Sequence, residues 1–147
     1  MAASARLGKE AMASFRQMQQ KRKFRCVVWK INDEEPRDTV IDDVQVPPGG
    51  GVAELCAALS DREPRYIAYD HEFKTHDGRT TSKIYFIYWI PHNANQEICV
   101  LYTNSLNEVR NDLTGIAHNY TYKTHSELNE LLGDGGDDDE ESEEEFD

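Results

Sequence analysis

The stretch Ile98–Ile116, ICVLYTNSLNEVRNDLTGI, constrains the fold more than any other part of the chain. Ile98, Val100 and Tyr102 alternate with Cys99 and Leu101. Apolar residues on both sides of that alternation predict a strand in a sheet covered on both faces. Ser105 and Glu108 then have the spacing of a capping box, in which hydroxyl and carboxylate each satisfy a free N–H of the first helical turn. Leu106, Val109 and Leu113 recur at three- and four-residue intervals and form one apolar stripe. Gly115 supplies a helix stop, since glycine tolerates the left-handed conformation. The stretch reads as strand, helix and stop. Asn107, Arg110, Asn111 and Thr114 are left facing outward, as a contact surface.

A chain of 147 residues supports one domain with a real core. Its formal charge of −12 is concentrated at one end. Residues 133–147, GDGGDDDEESEEEFD, hold ten acids and no base, and the remainder carries 16 basic and 18 acidic residues. Such a segment cannot bury enough apolar surface to fold, so a disordered acidic tail is expected there. Residues 1–30 hold eight Lys and Arg against one acid, Glu10. Cys26, Cys56 and Cys99 are odd in number and widely spaced, which argues for reduced thiols in a reducing compartment. No apolar run reaches the ~18 residues of a membrane span, and the N-terminus lacks a hydrophobic signal core. The expectation is a soluble intracellular protein without a transmembrane segment.

The chain predicts a mobile segment over 1–6, a domain over 7–132 and the tail over 133–147. From Leu7, the positions Leu7, Ala11, Phe15 and Met18 share one helical face, and Lys21-Arg22-Lys23 suit the negative end of that helix. Strands are predicted at Phe24–Ile31 and Thr39–Val46, with a turn at Asn32–Arg37 between them. Pro47 to Gly51 breaks the chain before a short helix at Val52–Leu59. Arg65–Phe73 and Lys83–Ile90 read as strands joined through Asp77-Gly78, a hairpin signal. A strand at Ile116–Tyr122 and a helix at Ser126–Leu132 complete the domain. This is an α/β (α+β) class fold, a mixed sheet with helices on both faces.

Catalytic signatures are missing from the sequence. There is no GxxxxGK[ST], no GxGxxG and no GxSxG. His71, Glu72, His76 and Asp77 come nearest to a metal cluster, but neighbours along a strand face opposite ways, and a solvated hairpin is the better reading. The cysteines sit in apolar stretches, where a buried thiol is inert. No cofactor and no catalytic or metal-binding residues are expected. The basic run Lys21–Arg25 has one aromatic companion, Phe24, and no RNA-binding signature accompanies it, so no nucleic-acid partner is expected. Anionic phosphoinositide headgroups suit such a patch equally well.

Three stretches resemble the actin-depolymerising factor/cofilin family. Arg65-Tyr66-Ile67-Ala68-Tyr69-Asp70-His71-Glu72-Phe73 is similar to its R-Y-x-x-[FY]-D-[FY]-E-[FY]. Lys83-Ile84 through Phe86, Trp89 and Pro91 is similar to K-[IL]-x-F-x-x-W-x-P. Tyr102-Thr103-Asn104-Ser105 through Leu113 and Gly115-Ile116 is similar to Y-x-S-[ST]-K-[DE]-x-[IL]-[KR]-[KR]-x-[IL]-x-G-[IV]. The resemblance covers about residues 4–132. It implies a single ADF-homology domain of gelsolin-like topology, with a five- to six-stranded mixed sheet between helices. It also implies a monomeric, non-enzymatic module on the cytoplasmic actin cytoskeleton, binding actin monomers and filaments and promoting filament disassembly.

In that family the long helix and the N-terminal segment contact one actin subunit. Carried over, the monomer contacts are Ser4, Ala5, Arg6, Leu7, Glu97, Cys99, Asn104, Leu106, Asn107, Arg110 and Asn111. The filament contacts are Arg79, Thr80, Thr81, Lys83, Glu127 and Glu130. Ser4 stands at the family's regulatory phosphorylation position, and Ser142 among its glutamates suits an acidophilic kinase. The departures are electrostatic. Glu97 and Cys99, Leu106-Asn107, Asn111 and Thr80-Thr81 replace residues that usually include cations. Glia maturation factor, a relative that engages the branched-filament nucleator, also lacks the basic residues before the counterpart of Tyr102. A regulator of that kind, or a scaffold that has lost actin, is the alternative.

Overall fold

The computed structural model describes residues 4–133. The acidic segment 134–147, with Ser142, lies outside the described residues, as do residues 1–3. The elements run β1 (Arg6–Leu7), α1 (Lys9–Lys21), β2 (Cys26–Ile31), β3 (Thr39–Val46), α2 (Val52–Ala58), β4 (Arg65–Lys74), β5 (Thr80–Trp89), α3 (Gln96–Asp112), β6 (Ile116–Tyr122) and α4 (His125–Leu132).

Six strands form one mixed sheet in the order β1-β3-β2-β4-β5-β6. The central four pair antiparallel, while β1 joins β3 and β6 joins β5 in parallel. A parallel neighbour requires a crossover, and α3 is the crossover from β5 to β6. Helices cover both faces. On one side Phe15 and Met18 of α1 and Val109 of α3 pack with Val27, Trp29, Tyr66 and Phe86. On the other, Leu55 of α2 and Leu128 and Leu132 of α4 pack with Val28, Ile67, Ile87 and Trp89. Strands buried on both faces lose the apolar–polar alternation, which is why Cys26–Trp29 and Tyr66–Tyr69 are buried without a break. A register shift between Ile84 and Tyr85 turns β6 over: Ile116 joins the first core, and Tyr120 and Tyr122 join the second.

The structure corrects the reading of Ile98–Tyr102 as a strand. These residues are the first turns of α3. The helix is capped by Asn95, whose Oδ1 accepts from the N–H groups of Glu97 (2.9 Å) and Ile98 (3.2 Å). Five alternating residues fit a strand, but Ile98, Leu101, Tyr102, Ser105, Leu106, Val109 and Leu113 also trace one continuous helical stripe. Exposure separates the two readings: Tyr102 is 4% exposed and Val100 is 51% exposed, although a strand would put them on one face. Ser105 is therefore not a cap. It is buried in mid-helix, where its hydroxyl donates to the Leu101 carbonyl (3.1 Å). The helix stops at Asp112. Gly115, at φ +88°, makes the left-handed turn into β6, and a Cβ there would lie 2.3 Å from Gln19 Nε2.

The N-terminal expectation is also corrected. Ala5 is fully buried, and Arg6 and Leu7 pair in parallel with Thr39 and Val40. The Arg6 N–H donates to the Asp38 carbonyl and the Gly8 N–H to that of Val40, both at 3.0 Å. An extended segment beside an open sheet edge satisfies its backbone by joining the ladder.

Candidate functional site

Two sets of candidate residues are brought together, and each forms a separate surface. The first is the outward face of α3 with the segment Ser4–Leu7 beside it. The junction is specific. The Ala5 N–H donates to Ser105 Oγ at 2.8 Å in the interior. Arg6 grips Asp112 with two nitrogens, at 3.1 and 2.6 Å, and approaches Glu108 at 3.7 Å. A bidentate pair fixes orientation as well as distance. The Arg6 hydrogen bonds hold the Asp112 carboxyl below the ordinary carboxylate range.

That shift sets a pH dependence. A carboxyl with a depressed folded pKa stabilises the fold above its unfolded value, about 3.9, and the contribution disappears as pH falls through the folded value. The β1 docking should loosen below about pH 4. Protection of the Arg6 and Gly8 amides, taken relative to the intrinsic exchange rate at each pH, should fall several-fold there. Asp112→Asn should show the lower protection already at neutral pH, and equal protection in this variant and the parent would exclude the coupling.

Along α3, Gln96, Glu97, Val100, Thr103, Asn104, Asn107 and Asn111 are exposed. Cys99 is half-buried, and Leu106 is half-buried against the core, so its side chain offers a partner only an edge. Arg110 does not project freely as expected. It is half-buried, with its guanidinium carbon 5.7 Å from the centre of the Phe86 ring, and its Nε is buried without a hydrogen bond. The exposed stripe thus carries amides, one carboxylate, the apolar Val100 and one hydroxyl, that of Thr103, which is hydrogen-bonded to Tyr88 (2.8 Å), and no lysine or arginine. Ala5, expected as a contact, is inaccessible, whereas Ser4 and Arg6 are exposed and Leu7 is half-buried. Gln96, Val100 and Thr103 escaped the sequence reading because Ile98–Tyr102 was assigned to a strand. The signal for them was Asn95, a good N-cap residue three positions before Ile98.

The second surface lies at the β4–β5 hairpin. Gly78, at φ +87°, closes its turn. Arg79 is held by Asp77 at 3.1 Å, and Thr80 and Thr81 pair with Lys74 and Phe73 as the start of β5. Lys83 lies opposite His71, and its ammonium sits 5.4 Å from the centre of the Phe73 ring. The α4 candidates divide. Glu130 is exposed, but Glu127 Oε1 accepts from the N–H groups of Lys123 (2.7 Å) and Thr124 (3.1 Å) as part of the α4 capping box. Its carboxylate is occupied by its own helix, which corrects its expected availability to a partner.

The hairpin is less solvated than expected. His71 is buried among the rings of Tyr69, Phe73 and Tyr85, and burial, then Arg25, pushes its pKa down. Glu72 points the other way, to Arg22 (2.7 Å) and Arg25 (3.8 Å). Arg22 also meets Asp70 at 3.2 Å, so half of the basic run Lys21–Arg25 is tied to carboxylates of β4. Burial raises the Cys26 thiol far above its usual range, which leaves it unreactive.

The family model described as "Cofilin/tropomyosin-type actin-binding protein" matches residues 4–131. The chain belongs to the actin-depolymerising factor/cofilin family. Actin-depolymerizing factor 5 from Oryza sativa subsp. japonica is 36% identical over 119 residues, which cover 81% of this chain and 82% of that protein. Among solved structures, Plasmodium berghei actin depolymerization factor 2 superposes with a TM-score of 0.78 at 20% identity, covering 90% of this chain and 98% of that one. Glia maturation factor from Caenorhabditis elegans superposes with a TM-score of 0.68 at 17% identity, covering 99% and 97%. At those identities the two structures speak for the ADF/cofilin fold.

Proposed function

We propose that this protein binds actin monomers and filaments and promotes filament disassembly, with the outward face of α3 and the adjoining segment Ser4–Leu7 as its monomer-binding surface. The observation that carries the reading is the junction of Ala5 to Ser105 and of Arg6 to Asp112. It makes one continuous surface from two segments that the family uses together. The hairpin residues Arg79–Thr81 and Lys83, with Glu130 on α4, form the filament-side surface. The protein acts as a monomer in the cytoplasm, on the actin cytoskeleton. Lys21 and Lys23, exposed cations of the basic run beside the carboxylate-bound Arg22, suit anionic phosphoinositide headgroups. A phosphate on exposed Ser4 would add about −2 charge beside the α3 face and weaken binding to acidic actin.

Because the exposed α3 stripe carries no cation, electrostatic steering toward actin is weak, and the activity is attenuated relative to a basic family member. The same observation favours a second reading, a regulator of the branched-filament nucleator in the manner of glia maturation factor. Two measurements run in parallel separate the readings. Co-sedimentation with filaments and slowed nucleotide exchange on monomers, at tens of micromolar protein, are expected for the actin binder. Absence of both, with nucleator subunits recovered in preference to actin, would establish the second.

A further inference from the structure

Beneath the first two turns of α3, on the side away from the outward stripe, lies a cavity of about 210 Å³. Three segments far apart in sequence converge on it: the β2–β3 connection, the loop before β4 and the start of α3. Its floor is apolar, made by Ile31, Ile98 and Leu101. Its rim carries three arginines, Arg37, Arg62 and Arg65, against two carboxylates, Asp33 and Glu63.

The arginines are not equivalent. Arg65 is committed to the fold. It donates to Asp43 (2.9 Å), Glu63 (2.9 Å) and the Pro64 carbonyl (2.7 Å). Asp33 is likewise held by Lys30 at 3.1 Å. Arg37 is held in the left-handed conformation, at φ +56°, and its Nε is buried without a hydrogen bond, with the nearest carboxylate oxygen, on Glu35, at 3.5 Å. The Arg62 side chain is exposed, and its guanidinium has no hydrogen bond or ion pair among the described residues. At the helix end Asn95 already takes the N–H groups of Glu97 and Ile98 with its side chain and that of Cys99 with its carbonyl. A buried N–H without a hydrogen-bond acceptor is costly; Arg37 meets one exposed carboxylate through one nitrogen and Arg62 meets none among the described residues, so the pair over an apolar floor favours an acceptor that carries charge.

We propose that this cavity binds a small organic monoanion, a carboxylate on a compact apolar or aromatic body. The carboxylate is received by Arg37 and Arg62, and the body rests on Ile31, Ile98 and Leu101. The two guanidiniums that have donors to spare select an anionic group, and the apolar floor selects against a bare inorganic anion. Recognition does not depend on actin binding, since the outward stripe of α3 stays uncovered.

The test is a titration of the full chain followed by amide nitrogen–proton NMR. Phenylacetate is the probe, acetate supplies the anion alone and 2-phenylethanol supplies the body alone. Phenylacetate should move the amides of Asn32, Asp33, Arg37 and Ile98–Tyr102, with an affinity in the low millimolar range. Each partial probe, and each of Arg37→Gln and Arg62→Gln, should weaken the effect by about tenfold. Arg62 is exposed, so Arg62→Gln remains informative even where Arg37→Gln perturbs the turn. No movement at about 20 mM phenylacetate would overturn the proposal and leave an ordered water as the acceptor for Arg37. Movement confined to other residues, or equal binding of phenylacetate and 2-phenylethanol, would overturn it as well.

Discussion

Replacing both Asn107 and Asn111 with glutamate is expected to lower affinity for monomeric actin by about 30-fold. Both amides are exposed on the uncharged stripe of α3. Each new carboxylate would face an acidic partner, and at ~1 kcal/mol per rim charge two of them amount to about 2 kcal/mol. The fold should tolerate the change. Glutamate is at least as good a helix former as asparagine, and the like-charged pair at four-residue spacing costs only about 0.2–0.5 kcal/mol. The melting temperature should therefore fall by no more than about 3 °C. The opposite substitutions, Asn107→Lys with Asn111→Arg, supply the control. If electrostatics at this face limits binding, they should raise affinity about tenfold. Monomer affinity measured by fluorescence, with a thermal melt on each variant, checks both signs. If neither pair of changes shifts affinity, α3 is not the contact.

Phe86→Ala is expected to have the largest effect on stability, about 3–5 kcal/mol. Phe86 is fully buried at the middle of β5, its ring 6.1 Å from that of Tyr66 and beneath the Arg110 guanidinium. Truncation removes core volume that neighbouring strands cannot reclaim, because Ala68 opposite it is already small. For a domain stable by 5–15 kcal/mol such a loss moves the urea midpoint far down. Phe86→Leu keeps most of the volume and should cost less than about 1.5 kcal/mol. Combined with Arg110→Lys, it measures how much the ring holds the guanidinium. A coupling of about 0.5–1 kcal/mol is expected, and strict additivity of the two changes would show that Arg110 is not seated on Phe86. Actin affinity that falls in Arg110→Lys without loss of stability would give the residue a contact role as well.

The α3 region shows where sequence reading succeeds and where it stops. Leu106, Val109 and Leu113 marked a helical stripe, and the structure has a helix there. The five residues before them satisfied two periodicities at once. Ile98, Val100 and Tyr102 fit a period of two, while Ile98, Leu101, Tyr102 and Ser105 fit a period near 3.6. Five residues are too few to separate these periods, and only packing against the sheet decided that Tyr102 is buried and Val100 exposed.

The strands were legible for the opposite reason. Thr39–Val46 and Ile116–Tyr122 emerge at their expected boundaries. There, β-branched and aromatic runs are bounded by Asn, Pro, Gly or charged turns, and no helical stripe competes. The candidate surface was legible only in part. The exposed amides of α3 follow from helical geometry once the stripe is known. The seating of Arg110 on Phe86 and the burial of Ala5 depend on residues distant in the chain, up to 100 positions away. Local pattern carries no record of such partners.

Apart from β1 and the start of α3, the elements, the helix-covered mixed sheet and the family are legible in the sequence itself, because apolar periodicity and turn residues act over a few neighbours. Ile98–Ile116 spans nearly all of α3 and the turn into β6. Only the tertiary structure decided that its first five residues are helical, that Ser105 receives the N–H of Ala5 and that Arg6 closes on Asp112. The reason is physical: buried polar groups must find partners, and the nearest available partner is set by packing rather than by position in the chain.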